Sequence, residues 1–186
     1  MTEPDEEKLQ DMIRLYKQGL LVNPKDVRKR YQLGNAYEKL GRDEDAVKEY
    51  RTAAKLNLSH FSSRLALGRI LFKQEVYADA VTYLREATEI KPENADAFYL
   101  LGEAAERGED RETAAAAFHT VSELEKDDDP PEHGDAPARG GHANLALGRQ
   151  DEAIACLERA LQLDAQNPGL LLPLGRAYAQ LEQWDK

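Results

Sequence analysis

The stretch Phe61–Asn94 reads F-S-S-R-L-A-L-G-R-I-L-F-K-Q-E-V-Y-A-D-A-V-T-Y-L-R-E-A-T-E-I-K-P-E-N. Moved 34 residues in either direction, its skeleton returns. Leu67-Gly68 recurs as Leu33-Gly34 and Leu101-Gly102. Ala80 recurs as Ala46 and Ala114, with Met12 a further period upstream. Leu84 recurs as Tyr50, Phe118 and Tyr16, and Pro92 as Pro24 two periods back. A fixed period of this length marks stacked supersecondary units, each too small to bury its apolar face alone.

Within the unit the order is Leu-Gly, an apolar or Tyr residue three on, Ala, an aromatic or Leu four on, Ala, then Pro. Leu67, Gly68, Leu71, Ala80, Leu84, Ala87 and Pro92 carry it, as do Leu33, Gly34, Tyr37, Ala46, Tyr50 and Ala53. This pattern resembles the tetratricopeptide repeat (TPR), a helix–turn–helix unit of 34 residues. The resemblance implies an all-α fold: a right-handed α-α superhelix, or TPR solenoid, of antiparallel helix pairs, here with about nine helices. A fold does not name a ligand, because function lives in the site grafted onto it.

Working outward, residues 27–60, 61–94 and 95–126 read as repeats of one array spanning 1–186. Residues 5–26 read as an N-terminal half repeat or cap, with Leu9, Met12, Ile13, Tyr16 and Leu20 at helical spacing. Gly41 suits the end of the first A helix. After the third repeat the period slips: Gly102 recurs only at Gly141, and Ala114 only at Ala153. Residues 127–141 are expected to form an irregular acidic Pro/Gly loop and a weak helix. Two adjacent glycines, Gly140 and Gly141, each cost roughly 1 kcal/mol against alanine in a helix, and the missing Leu forfeits a core contact of about 2 kcal/mol. A short or frayed helix from about Pro137 to Leu147 follows, and proteolysis is expected to cut first within Lys126–Gly141. Residues 142–167 read as a degenerate repeat and 168–186 as an incomplete last one, with Leu171, Leu174, Tyr178 and Leu181 lacking a partner helix.

By resemblance, the A helices line a concave groove that receives an extended peptide or a partner helix. The residues of that face are Arg28, Tyr31, Asn35 and Lys39, then Leu65, Arg69, Phe72 and Lys73, then Tyr99 and Glu103. Tyr31, Phe72 and Tyr99 are candidate apolar anchors, and Arg28, Arg69 and Lys73 candidate partners for carboxylates. Two known specialisations do not fit. Relatives that grip the carboxylate of chaperone tails need Lys and Asn in one A helix, Asn in the next and two cations in the third. Asn35 fits one slot, but Tyr31, Ala66, Asp96 and Leu100 occupy the others. An asparagine ladder would fall on Gln32, Ala66, Leu100, Arg139 and Pro173, none of them Asn.

Catalysis and cofactors have no support. The four histidines, His60, His119, His133 and His142, include no pair at i, i+4 on a helix. His133 beside Asp127–Asp129 lacks the glycine that a calcium loop needs. Cys156 adjoins a core position and reads as a small packed side chain rather than a nucleophile. The net charge of −10 opposes non-specific binding to nucleic acid or an anionic membrane. No apolar run is long enough to span a bilayer, and the acidic start is unlike a signal peptide. One cysteine allows no internal disulfide. The expectation is therefore a non-catalytic, cytoplasmic, protein-binding scaffold or adaptor with no cofactor and no metal. The alternatives are a structural module that forms homo-oligomers through the uncovered C-terminal face, and the regulatory arm of a larger enzyme.

Overall fold

The computed structural model describes residues 3–125, 135–165 and 167–184. All regular structure among them is helical. The helices are α1 (Glu3–Val22), α2 (Val27–Lys39), α3 (Asp43–Leu56), α4 (Phe61–Lys73), α5 (Tyr77–Ile90), α6 (Ala95–Arg107), α7 (Arg111–Leu124), α8 (Asp135–Ala146), α9 (Gln150–Leu163) and α10 (Leu171–Trp184). A single 3₁₀ turn, Pro168–Leu170, precedes α10.

The chain divides into two compact units, Met1–Lys91 and Pro92–Lys186. In the first, α1 packs on α2, α2 on α3, α3 on α4 and α4 on α5. In the second the sequence of neighbours is α6, α7, α8, α9, α10. We call α2, α4, α6, α8 and α10 the A helices, and α1, α3, α5, α7 and α9 the B helices.

The helix starts follow from the local sequence. Asp26 accepts the Lys29 N–H at 2.9 Å, Asn94 the Ala97 N–H at 2.8 Å and Asp110 the Thr113 N–H at 3.1 Å. Each side chain satisfies one of the amides left unpaired at a helix N-terminus. The A-to-B turns pass through the left-handed region, with φ +71 at Gly41, +62 at Glu75, +63 at Glu109 and +71 at Gly148.

The Leu-Gly pairs are packing notches. Leu33 and Leu67 are buried outright, each contributing about 2 kcal/mol of apolar transfer. The glycine beside each lets the facing B helix approach closely. Tyr50 lies over Gly34, Leu84 over Gly68 and Phe118 over Gly102.

The helix expected to be weak is present as α8. α8 spans 12 residues against 13 for α2, α4 and α6. The glycine cost is offset by fit, because a Cβ on Gly141 would stand 2.5 Å from Leu157 Cγ. Polar anchors add to it. Arg139 Nε donates to Glu125 Oε1 at 2.8 Å, and Ser122 Oγ to Asn144 Oδ1 at 3.0 Å. With α8 counted, the described residues hold ten helices where about nine were expected. The preceding stretch 126–134, predicted as a loop and as part of the segment Lys126–Gly141 cut first, lies outside the described residues.

Candidate binding groove

The predicted groove residues fall into three groups. Arg28, Tyr31, Asn35 and Lys39 lie on α2. Leu65, Arg69, Phe72 and Lys73 lie on α4. Tyr99 and Glu103 belong to α6, in the second unit.

On α2 the structure brings predicted residues together around a cavity. Tyr31, Asn35 and Lys39 line a depression of about 350 Å³, with Gln32 and Ala36 beside them and Leu9, Met12 and Tyr16 of α1 opposite. Tyr31 is half-buried, its ring 5.6 Å from those of Tyr50 and His60. That leaves a fixed aromatic wall facing apolar side chains of α1. Asn35 and Gln32 make no side-chain hydrogen bond among the described residues, so their amides remain available as donors and acceptors. Arg28 and Lys39 are exposed and make no ion pair among those residues. The α1 wall was not read from the sequence as part of a site, although the helical spacing of Leu9, Met12 and Tyr16 was plain.

α4 differs from expectation. Its cations are already engaged within the chain. Arg69 Nη2 donates to Glu38 Oε1 at 2.9 Å, and Glu38 also accepts the Tyr50 hydroxyl at 2.8 Å. Lys73 Nζ lies 2.9 Å from Asp43 Oδ2. Both cations therefore carry an internal counter-charge, although their side chains are 53% and 70% exposed. Phe72, predicted as an open anchor, is half-buried and rests on Tyr77 at 5.9 Å. Leu65 is half-buried as well.

In the second unit Tyr99 is also partly committed. Its ring meets Phe118 at 6.1 Å and His142 at 6.4 Å, and its hydroxyl donates to Glu103 at 3.4 Å. Burial raises the Glu103 carboxyl above its usual range, and burial holds the His142 imidazole below its own. A second depression, about 530 Å³, lies between Glu106 of α6, His142 and Leu145 of α8, and Leu172, Pro173 and Arg176 of α10. Its α8 residues, His142, Leu145 and Ala146, were not read from the sequence as groove residues, because α8 was expected to be frayed.

Among the described residues there is no cluster of three metal-ligating side chains, and no helix long and apolar enough to cross a membrane. Cys156 is half-buried, and burial raises its thiol, which opposes thiolate formation.

Paired antiparallel helices with glycine notches, stacked in series, define a helical-repeat protein. The family is specific: tetratricopeptide-repeat models match residues 7–57, 31–95 and 65–121, and a further TPR model matches 141–182. The chain belongs to the tetratricopeptide-repeat family. No curated protein matches the sequence at a significant level. Several solved structures share the fold. YrrB, "a TPR protein with an unusual peptide-binding site", is 22% identical at a TM-score of 0.69, over 90% of this chain and 84% of that one. MamA from Desulfovibrio magneticus RS-1 is 24% identical at 0.67, over 86% and 88%. A thermophilic TPR protein of Thermus thermophilus, TTC0263, is 20% identical at 0.64, over 90% and 89%. TPR folds are in general protein-interaction scaffolds.

Proposed function

We propose that the chain is a non-catalytic interaction scaffold that holds an extended peptide along its A-helix face, with the α1–α2 cavity as the principal contact. The observation that carries this reading is the pairing of apolar walls with unsatisfied amides in one cavity. Tyr31, Leu9 and Met12 would receive an apolar side chain, and Gln32 and Asn35 would bond the peptide backbone. Arg28 and Lys39 would pair with a carboxylate at the rim, a contact that raises the on-rate more than the affinity. Arg69, Phe72 and Lys73 are better read as the wall that shapes the groove, since their partners lie within the chain, with half-buried Leu65 beside them on α4. Tyr99 and Glu103, in the second unit, are a separate candidate contact. YrrB is a precedent for peptide binding on this fold, at an identity that speaks only to the fold. A single cysteine and an acidic chain suit a cytoplasmic setting and a protein rather than a nucleic-acid partner.

The test is selection of linear peptides from a random displayed library, followed by titration calorimetry on the winners. A truncated anchor costs about 2 kcal/mol, so Tyr31→Ala should weaken binding by about 30-fold with helicity unchanged. Winners that bind Tyr31→Ala and Asn35→Ala as well as they bind the unaltered chain would remove the α1–α2 cavity from the reading.

A further inference from the structure

A cavity of about 810 Å³ opens where α6, α7 and α8 meet, wholly within the second unit. Ala114, Ala115 and Phe118 of α7 and Ala146 of α8 form its apolar wall. Its edge is charged and exposed, with Glu106, Glu109 and Arg111. The volume is that of a ligand site.

The first unit shows what closes such a joint. α2, α3 and α4 stand in the same registers as α6, α7 and α8, with Gly34, Tyr50 and Gly68 answering to Gly102, Phe118 and Gly141. There Lys73 of α4 crosses to Asp43 of α3, Nζ to Oδ2 at 2.9 Å. Arg69 of α4 reaches Glu38 of α2 at 2.9 Å, and the Tyr50 hydroxyl donates to the same carboxylate at 2.8 Å.

Between α7 and α8 each of those groups is replaced. Ala146 stands in the register of Lys73 and Arg111 in that of Asp43, so that crossing is absent. His142 stands for Arg69 and Phe118 for Tyr50, so Glu106, the counterpart of Glu38, loses both its donors. Burial holds the His142 imidazole below its usual range, so a neutral ring takes the place of a permanent charge. Ala115 stands where α3, α5 and α9 carry Val47, Val81 and Ile154. Small residues thus open the cavity, and the charges at its edge are left over. Among the described residues the side chains of Glu106, Glu109 and Arg111 make no hydrogen bond or ion pair.

The missing pieces define the ligand. What α4 supplies in the first unit, and α8 does not, is an aliphatic stem that ends in a cation. We propose that the α7–α8 cavity receives an arginine side chain of a partner polypeptide, with a carboxylate of the same partner beside it. The methylenes of the arginine lie on Ala114, Ala115, Ala146 and Phe118. Its guanidinium bonds Glu106 as Arg69 bonds Glu38, and the partner's carboxylate bonds Arg111. The edge carries two carboxylates and one guanidinium, so it favours the cation over a lone anion. The assignment goes beyond the α1–α2 cavity and does not rest on it, because every residue involved belongs to the second unit.

The experiment is an amide-by-amide NMR titration of the 186-residue chain with small stand-ins for the partner's side chain. N-acetylarginine carries the guanidinium and a carboxylate, N-acetylargininamide the guanidinium alone, and N-acetylnorleucine the stem and carboxylate alone. The expected result is binding in that order, with the largest shifts at Glu106, Ala115, Phe118 and Ala146. Glu106→Gln should weaken N-acetylarginine by about fivefold, the size of an exposed ion pair. Ala146→Lys with Arg111→Asp rebuilds the Lys73–Asp43 crossing and should abolish the response, with circular dichroism showing the helices intact. Ala115→Ile, which sets in α7 the residue type that α9 carries at Ile154, is a second blocking variant should the double one unfold. No response to any of the three probes, shifts confined to other helices, N-acetylnorleucine bound as well as N-acetylarginine, or binding indifferent to Glu106→Gln and to the blocking variants would each overturn the proposal. Free arginine bound more tightly than N-acetylarginine would overturn it too, since the site would then belong to an amino acid and not to a partner chain.

Discussion

Replacing one glycine by alanine should have opposite effects at two equivalent positions. At Gly68 the new Cβ would lie 2.3 Å from Leu84 Cγ and 2.6 Å from its Cδ2, and Leu84 is fully buried. Real Cβ atoms do not approach so closely, so α4 and α5 must separate or Leu84 must leave its rotamer. Overpacking of this kind costs about 1–3 kcal/mol. Alanine returns about 1 kcal/mol of helix propensity. The net expectation for Gly68→Ala is a loss of about 1 kcal/mol. At Gly175 nothing lies within 4 Å of the added Cβ, so only the propensity remains and Gly175→Ala should gain up to about 1 kcal/mol. Urea unfolding followed by helical circular dichroism reads the difference. With a slope of about 2 kcal/mol per molar, the two midpoints should move about 0.5 M in opposite directions. Hydrogen exchange should place the Gly68→Ala loss in α4 and α5, since repeats couple chiefly to their neighbours. The work is done at low protein concentration so that association does not contribute. A Gly68→Ala chain as stable as the original, or a Gly175→Ala chain less stable, would refute the notch reasoning.

Three further outcomes follow from other features. Glu75→Gly and Glu109→Gly should each stabilise by about 0.5 kcal/mol, because both glutamates hold a positive φ where Gly41 and Gly148 serve elsewhere; thermal melts check this. Burial raises the Glu125 carboxyl to about 7, despite the opposing Arg139. The folded state then binds the proton more tightly than the unfolded one, so stability should fall as pH rises from about 4.5 to 7 and level off above. Urea midpoints across that range, on the order of 2 kcal/mol in all, should flatten in Glu125→Gln. Arg64 is 6% exposed, bonding Glu86 at 2.7 Å and the Asn57 carbonyl at 3.2 Å. Arg64→Ala should lower the urea midpoint by the equivalent of about 2 kcal/mol.

The Leu-Gly pairs, the small residue that follows and the apolar residue after it were sufficient to read the helices, because they are the contacts that stack one helix on the next. The fit of α8 was not legible, because a propensity count charges Gly140 and Gly141 as if they faced water. Their value appears only against Leu157, Cys156 and Glu125 on other helices. That Tyr31, Asn35 and Lys39 line one cavity was legible because they share one face of one helix. The pairing of Arg69 and Lys73 was not, because their carboxylates, Glu38 and Asp43, lie in the preceding repeat. The α1 wall could be read from its spacing but was taken only for a cap.

The inter-helix ion pairs of Arg30 and Arg64 also bear on which helices fit together. An array of near-equal units risks docking an A helix on the B helix of a distant repeat, where the leucines and alanines would fit almost as well. α3 and α5 offer Arg30 and Arg64 the carboxylates Glu49 and Glu86. In those same two registers α7 presents Ala117 and Thr120, and α9 presents Cys156 and Arg159. An arginine set against either would lose its counter-charge, a loss felt most at Arg64, whose side chain is 6% exposed. The pairs of Arg30 with Glu49 and Arg64 with Glu86 thus add a charge match to a register that the apolar skeleton alone repeats.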